Sequence, residues 1–181
     1  MKQEVKLEYC PRPALRVDTQ AQANTIKKFG LTNERAVVGM CPGAEFGPAK
    51  RWPDAHYAEV AEHAIKQGQQ VWLFGSKKDR EVTEKIRDAL TKEAQSHCYN
   101  LAGSTSLIEA VDLLAVCDTV VSNDSGLMHI SAAVGANVIA VYGSSSPSYT
   151  PPLSDSVKII NNDVECRPCF KRTCHWDIWI A

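Results

Sequence analysis

The sequence predicts an α/β domain built on a doubly wound parallel sheet, and three observations lead there. Short apolar runs alternate with longer stretches whose apolar residues recur at helical spacing. The lengths of these segments suit strands and crossover helices, which implies a parallel sheet covered on both faces. Five of the strand-like runs end in small residues and turn formers.

Each element follows in order. Residues 1–35 are polar and punctuated by Cys10-Pro11-Arg12-Pro13, with a helical stretch around 19–29. They read as an interdomain linker with a connecting helix, the tail of something that precedes it. From Ala36 the alternation begins and defines a domain over 36–161. Val37-Val38-Gly39-Met40 is a strand. Tyr57, Val60, Ala61, Ala64 and Ile65 fall at i, i+3, i+4, i+7 and i+8, one face of a helix closed by Gly68. Val71-Trp72-Leu73-Phe74 is the next strand, and Val82, Ile86, Ala89 and Leu90 mark the next helix. A weaker strand lies near 97–101. Leu107, Ala110, Val111, Leu114 and Ala115 form a third helical stripe, opened by the capping-box pair Ser106 and Glu109. Thr119-Val120-Val121-Ser122 is a strand, 126–134 a helix ending at Gly135, and Val138-Ile139-Ala140-Val141-Tyr142 a further strand. Residues 162–181 read as a truncated, cysteine-containing tail.

At 181 residues and 44% hydrophobic, the chain can bury one substantial core. Twenty basic against twenty-one acidic side chains give a formal charge of −1, which argues against a general nucleic-acid binder. Any anion site must therefore be local. No apolar run approaches the roughly 18–20 residues that span a bilayer, and Met1-Lys2-Gln3-Glu4-Val5-Lys6 lacks the apolar stretch of a signal peptide. Cys41, Cys98 and Cys117 sit in apolar segments, as reduced core thiols do. These features fit a cytoplasmic protein.

Parallel sheets place function at the carboxyl ends of their strands. Here those ends read Cys41-Pro42-Gly43-Ala44, Gly75-Ser76, Ala102-Gly103-Ser104, Asn123-Asp124-Ser125-Gly126 and Gly143-Ser144-Ser145, a rim whose backbone lets a ligand approach closely. Ordinary βα turns are the plainer alternative. In Val121-Ser122-Asn123-Asp124-Ser125-Gly126-Leu127-Met128-His129 a strand stops, small polar residues follow and a helix begins. The free N–H groups of that first turn form an anion site. Asp124 beside an anion suits binding of an attached sugar's hydroxyls; the alternative is that Asp124 or Ser125 is merely an N-cap.

The loop Gly43-Ala44-Glu45-Phe46-Gly47-Pro48-Ala49-Lys50-Arg51-Trp52-Pro53 delivers Lys50 and Arg51 to the rim, where a cation can neutralise charge growing on a leaving diphosphate. A solvated loop is the alternative. Asp79, shortly after the second strand, is placed to accept ribose hydroxyls, or to start a helix. No G-x-G-x-x-G follows a strand, against a nicotinamide or flavin enzyme. No D-x-D pair occurs, so no carboxylate-held metal is expected at the diphosphate, and no cofactor is expected at all. Cys166, Cys169, Cys174 and His175 have zinc-like spacings, although the last two are adjacent; a pair of reduced thiols is the alternative. His129 reads as packed in its helix, and Trp176 and Trp179 as tail anchors.

Together these segments resemble the bacterial ADP-heptose:lipopolysaccharide heptosyltransferases, glycosyltransferase family 9, nearest the heptosyltransferase II type. The resemblance runs in order from about 35 to 174. It is carried by the 41–53 loop, Leu73-Phe74-Gly75-Ser76 with Asp79, Asn100-Leu101-Ala102-Gly103, the 123–129 segment, Tyr142-Gly143-Ser144-Ser145-Ser146-Pro147 and Thr150-Pro151-Pro152. It implies a GT-B enzyme of two Rossmann-like domains, of which this is the C-terminal, donor-binding one. By that likeness Lys50 contacts the diphosphate and stabilises the leaving group, and Asp79 contacts the ribose. Ser125, Gly126 and Leu127 offer backbone donors to phosphate, Asp124 binds heptose hydroxyls, and 101–105 lies near adenine. Gly43, Ala44, Gly103 and Thr105 complete the expected substrate-binding set.

The family transfers heptose from ADP-heptose with inversion and without metal. Its acceptor is the lipopolysaccharide inner core, at the cytoplasmic face of the inner membrane, to which the parent enzyme is peripheral. The N-terminal domain that carries the acceptor site and general base is missing from this sequence, and the ending at 175–181 falls short of the usual C-terminal helices. The chain therefore reads as a fragment, expected to be inactive on its own. Two alternatives stand beside this: another sugar-nucleotide enzyme, a family 9 relative or epimerase-like protein preferring uridine nucleotides, and a non-catalytic binding module built on the cysteine tail.

Overall fold

A computed structural model describes residues 11–175. Six parallel strands form one sheet: β1 (Val37–Cys41), β2 (Gln70–Leu73), β3 (Cys98–Asn100), β4 (Thr119–Asn123), β5 (Asn137–Val141) and β6 (Val157–Ile160), in the order β3-β2-β1-β4-β5-β6. The helices are α1 (Thr19–Lys28), α2 (Asp54–Lys66), α3 (Arg80–Asp88), α4 (Lys92–Gln95), α5 (Leu107–Leu114) and α6 (Gly126–Ala133). The predicted doubly wound α/β fold is the observed one.

Side chains alternate across the sheet with the two-residue period of a strand. Val38, Met40, Val71 and Leu73 join the core layer that contains Tyr57, Ala61 and Ile65 of α2 and Ile86 of α3. Val37, Cys41, Trp72 and Phe74 pack into the opposite layer with Leu113 and Leu114 of α5. A strand buried on both faces is apolar throughout, which is why these runs are visible in the sequence.

Two elements differ from the sequence expectation. β6 is not anticipated there: Val157-Lys158-Ile159-Ile160 lies at the sheet edge and is half-buried to exposed, so it lacks the run of apolar residues that a central strand must have. The single turn α4, begun by the Thr91 hydroxyl accepting from Ala94 N–H, is too short for a periodic signal. The 19–29 helix is α1, capped by Asp18. It packs on α5: Thr25 donates its buried hydroxyl to Asp112 Oδ2 at 3.0 Å, and Gln22 Nε2 donates to the Asp112 carbonyl.

Both halves of the predicted capping box form at the start of α5. The Ser106 hydroxyl accepts from Glu109 N–H, and Glu109 Oε2 accepts from Ser106 N–H at 2.8 Å. Ser106→Ala is expected to lower stability by about 1 kcal/mol, read as a shift in urea midpoint with unchanged m. An unchanged midpoint would show that the cap contributes nothing.

Candidate functional site

The strand order reverses direction at one place. From β1 the sheet grows one way through β2 and β3; from β4 it grows the other way through β5 and β6. β1 and β4 are adjacent and parallel, with Cys41 opposite Ser122, so the loops that follow them diverge and leave a crevice. This crevice, of about 500 Å³, is lined by Gly43, Ala44, Asp79, Thr105, Ser125, Gly126 and Leu127 among others. Seven residues expected from sequence therefore meet at one switch point. Three others, Lys50, Asp124 and Gly103, do not line it. The first two lie beside it as an ion pair, and Gly103 belongs to the 101–105 loop that leads to Thr105.

A single asparagine clamps the two loops together. Asn123, fully buried at the end of β4, donates through Nδ2 to the Pro42 carbonyl at 2.6 Å. Its Oδ1 accepts from Trp52 N–H at 2.9 Å and from the Tyr57 hydroxyl at 3.1 Å. Both ends of the 42–52 loop are thus tied to the end of β4.

The start of α6 is open. Ser125 occupies the N-cap position in extended conformation, but its side chain caps nothing; its hydroxyl lies 3.3 Å from that of Ser122. Gly126 is exposed, and a side chain there would meet nothing within 4 Å. Asp124 does not cap either, because its carboxylate is engaged elsewhere. The capping alternative for Asp124 and Ser125 is therefore set aside, and the first-turn N–H groups, with the positive end of the helix dipole, face the crevice.

Asp124 is the buried centre of a polar cluster that reaches the surface at Thr150. Its Oδ2 pairs with Lys50 Nζ at 2.5 Å, with side chains only 4% and 17% exposed respectively. The Ser145 hydroxyl donates to the same oxygen at 2.6 Å, and the Thr150 hydroxyl to Oδ1 at 3.2 Å. Lys50 Nζ also stands 5.5 Å from the centre of the Phe46 ring. The partners come from different loops, so the cluster ties the loop after β5 to the switch point.

Asp79 is partly committed to local structure. Its Oδ2 accepts from Ser76 N–H at 2.9 Å and from the Ser76 hydroxyl at 2.7 Å. Arg51 Nη2 stands 3.8 Å from Oδ1. The carboxyl packs so closely on the backbone that a Cβ at Gly43 would lie 2.6 Å from it, which explains a glycine there. Gly103, at φ 71°, hydrogen-bonds its N–H to the Gly75 carbonyl, and Arg80 donates to the Ala102 carbonyl at 3.1 Å. The 101–105 loop is held against the end of β2 in this way. Cys41 also lines the crevice, yet burial pushes its thiol up to about 12, so it contributes shape rather than a thiolate. Cys98 and Cys117 are likewise free and buried.

Sequence reasoning misses Ser145, Thr150 and Asn123 as site residues. The first stands out only as part of a strand-end turn, and Thr150 as part of a resembling stretch. Nothing in the spacing signals that residues 21 and 26 positions beyond Asp124 return to its carboxylate.

The cysteine tail does not assemble the conceivable zinc set. Cys166, Cys169 and Cys174 border one cavity of about 100 Å³, but His175 is exposed. Among the described residues no group of three or more His, Cys, Asp or Glu is arranged to hold a metal. The segment is organised around Arg167 instead, whose Nε donates to the Gly143 carbonyl at 2.7 Å and whose Nη2 donates to that of Ser145. His129 lies on the exposed side of α6 rather than packed. Trp176, Trp179 and the Met1–Lys6 segment fall outside the described residues. Among the described residues no helix is long and apolar enough to cross a membrane.

Comparison with known proteins follows the same lines. Residues 3–180 match the family described as glycosyltransferase family 9 (heptosyltransferase). The chain is 59% identical over 153 residues to lipooligosaccharide heptosyltransferase 2 of Haemophilus influenzae, covering 82% of this chain and 44% of that protein. It is 52% identical over 148 residues to lipopolysaccharide heptosyltransferase 2 of Escherichia coli, covering 82% and 42%. The solved structure of the E. coli ADP-heptose heptosyltransferase II matches with a TM-score of 0.79 at 50% identity, over 83% of this chain and 47% of that one. The chain thus spans less than half the length of each of these relatives.

Proposed function

The chain belongs to glycosyltransferase family 9, and from that premise we propose that its switch-point crevice binds ADP-heptose, the donor for heptosyl transfer to the lipopolysaccharide inner core. The observation that carries this is the start of α6: a helix terminus with no side-chain cap, opening at the point of the sheet where nucleotides bind. In this reading the diphosphate lies against Ser125, Gly126 and Leu127. Adenosine extends toward Thr105 and the 101–105 loop, between Asp79 on the ribose side and Gly43 and Ala44 on the other. The sugar meets Asp124, and Lys50 serves the leaving diphosphate. Inversion at the sugar carbon requires a base on the face opposite the diphosphate, which none of these residues supplies.

The remaining assignments rest on the same membership. Residues 36–161 form the donor-binding unit, 1–35 connect it to the acceptor-binding part of the enzyme, and 162–181 form a tail. The acceptor is the lipopolysaccharide inner core, in keeping with relatives at 52–59% identity that are named lipooligosaccharide and lipopolysaccharide heptosyltransferases, and the enzyme works at the cytoplasmic face of the inner membrane. An epimerase-like or uridine-nucleotide enzyme is not favoured by relatives this similar. Neither is a metal-linked module, since no group of three or more His, Cys, Asp or Glu among the described residues is arranged to hold a metal.

Isothermal titration of ADP, UDP and GDP into this chain tests the reading. ADP is expected to bind most tightly, with modest affinity because an open crevice leaves its charges screened by water. Absence of ADP binding, or preference for UDP, would overturn the assignment.

A further inference from the structure

We propose that Ser145 and Thr150, in the loop after β5, are positioning residues for sugar recognition: they hold the Asp124 carboxylate in place while Lys50 leaves it for the diphosphate. The proposal rests on the donor-site reading above. Lys50 is spent on Asp124, at 2.5 Å and largely out of water. An incoming diphosphate competes with Asp124 for the Lys50 ammonium and draws its charge away from the carboxylate. A nearly buried carboxylate that loses its cation would turn or take up another partner, because an unpaired charge there is costly.

The two hydroxyls prevent this. Ser145 Oγ donates to Oδ2, the oxygen Lys50 holds, and Thr150 Oγ1 donates to Oδ1. With both in place the carboxylate keeps its orientation and one vacated acceptor position on Oδ2, which a sugar hydroxyl can fill. The hydroxyls are themselves fixed from behind. Arg167 donates to the Ser145 carbonyl at 3.2 Å, Tyr142 donates its hydroxyl to the Thr150 carbonyl at 2.5 Å, and Ser144 N–H bonds the Ala49 carbonyl one residue before Lys50. The loop after β5 is therefore registered against both members of the ion pair. The stronger contact is that of Ser145, shorter by 0.6 Å and on the oxygen that changes partner.

The test is the ratio of ADP-heptose affinity to ADP affinity, measured by titration on this chain and on Ser145→Ala, Ser145→Thr, Thr150→Val and Thr150→Ser. Ser145→Ala is expected to reduce the ratio about tenfold, the scale of one hydrogen bond to a charged group. Thr150→Val is expected to reduce it about threefold, in line with its longer bond. Thr150→Ser and Ser145→Thr, which keep a hydroxyl, should restore the ratio to within about twofold. Thermal melts of each variant identify any that fail to fold, and the hydroxyl-retaining pair then decides the matter. Equal weakening of both ligands, or no change in either, overturns the proposal. A wild-type chain that binds ADP but gains nothing from the heptose overturns the role of Asp124 and this proposal with it. No binding of either ligand by the folded chain instead sinks the donor-site reading itself.

Discussion

Asn123→Ala is expected to destabilise the chain by about 2–5 kcal/mol and to abolish nucleotide binding with it. The side chain has no solvent exposure and makes three short hydrogen bonds. Alanine removes the partner of Trp52 N–H and of the Pro42 carbonyl outright. Tyr57 retains only the Cys41 carbonyl, at 3.5 Å. Each buried group left without a partner costs about 1–3 kcal/mol, and a lone water can satisfy at most part of the set. Asn123→Asp is a sharper test. It keeps an acceptor for Trp52 and Tyr57 but presents a second oxygen, in place of an amide donor, to the Pro42 carbonyl. It should therefore be destabilised despite its equal size. The effect on ligand follows from geometry, since the clamp sets the distance between the 42–52 loop and the start of α6. Urea unfolding and ADP titration measure both. A stability within about 0.5 kcal/mol of wild type, the range of ordinary surface substitutions, would show that the loops are held by other contacts.

What is legible in the sequence and what is not divide along physical lines. The central strands are legible because burial on both faces leaves them largely apolar, as in Val37-Val38 and Val71-Trp72-Leu73. The α5 cap is legible because a capping box is a local device, complete within four residues. β6 is not, since an edge strand need not be apolar. Gln70 illustrates the same limit inside β2: a buried polar residue, it is accommodated only because Thr32 and Arg35 carbonyls accept from its amide and Trp72 donates to it. At the site, the open start of α6 follows from the strand–turn–helix pattern. The occupancy of Asp124 does not. Whether a carboxylate is free or already paired depends on where distant loops return, and the loop after β5 lies across a helix and a strand from it. The Arg167 anchor of that loop likewise comes from a segment whose cysteines, by spacing alone, resemble metal ligands.

Lys50→Ala, measured in an active transferase that contains this sequence, is expected to lower kcat by about 10²–10³-fold while changing donor KM far less. The Lys50–Asp124 ion pair gives the reason. In the proposed exchange Lys50 turns from Asp124 to the diphosphate, so weakening that ion pair offsets much of what the new bond to phosphate contributes in the ground state. Interactions that cancel in this way change KM little. As the bond to the sugar breaks, negative charge accumulates on the departing diphosphate, and attraction to a cation held in a largely buried position rises with it. That increment has no counterpart in the resting protein, so it appears in kcat. Loss of one positioned electrostatic group of this kind typically costs about 10²–10³ in turnover. Asp124→Asn provides the mirror experiment on the chain itself. With the competing carboxylate neutralised, Lys50 is free to meet phosphate, and ADP should bind more tightly, by up to about tenfold for 1.4 kcal/mol of released pairing. ADP-heptose should gain less than ADP, because the sugar loses a charged acceptor. A normal kcat in Lys50→Ala would remove Lys50 from the chemistry, and weaker ADP binding in Asp124→Asn would show that the carboxylate presents the lysine to the ligand rather than withholding it.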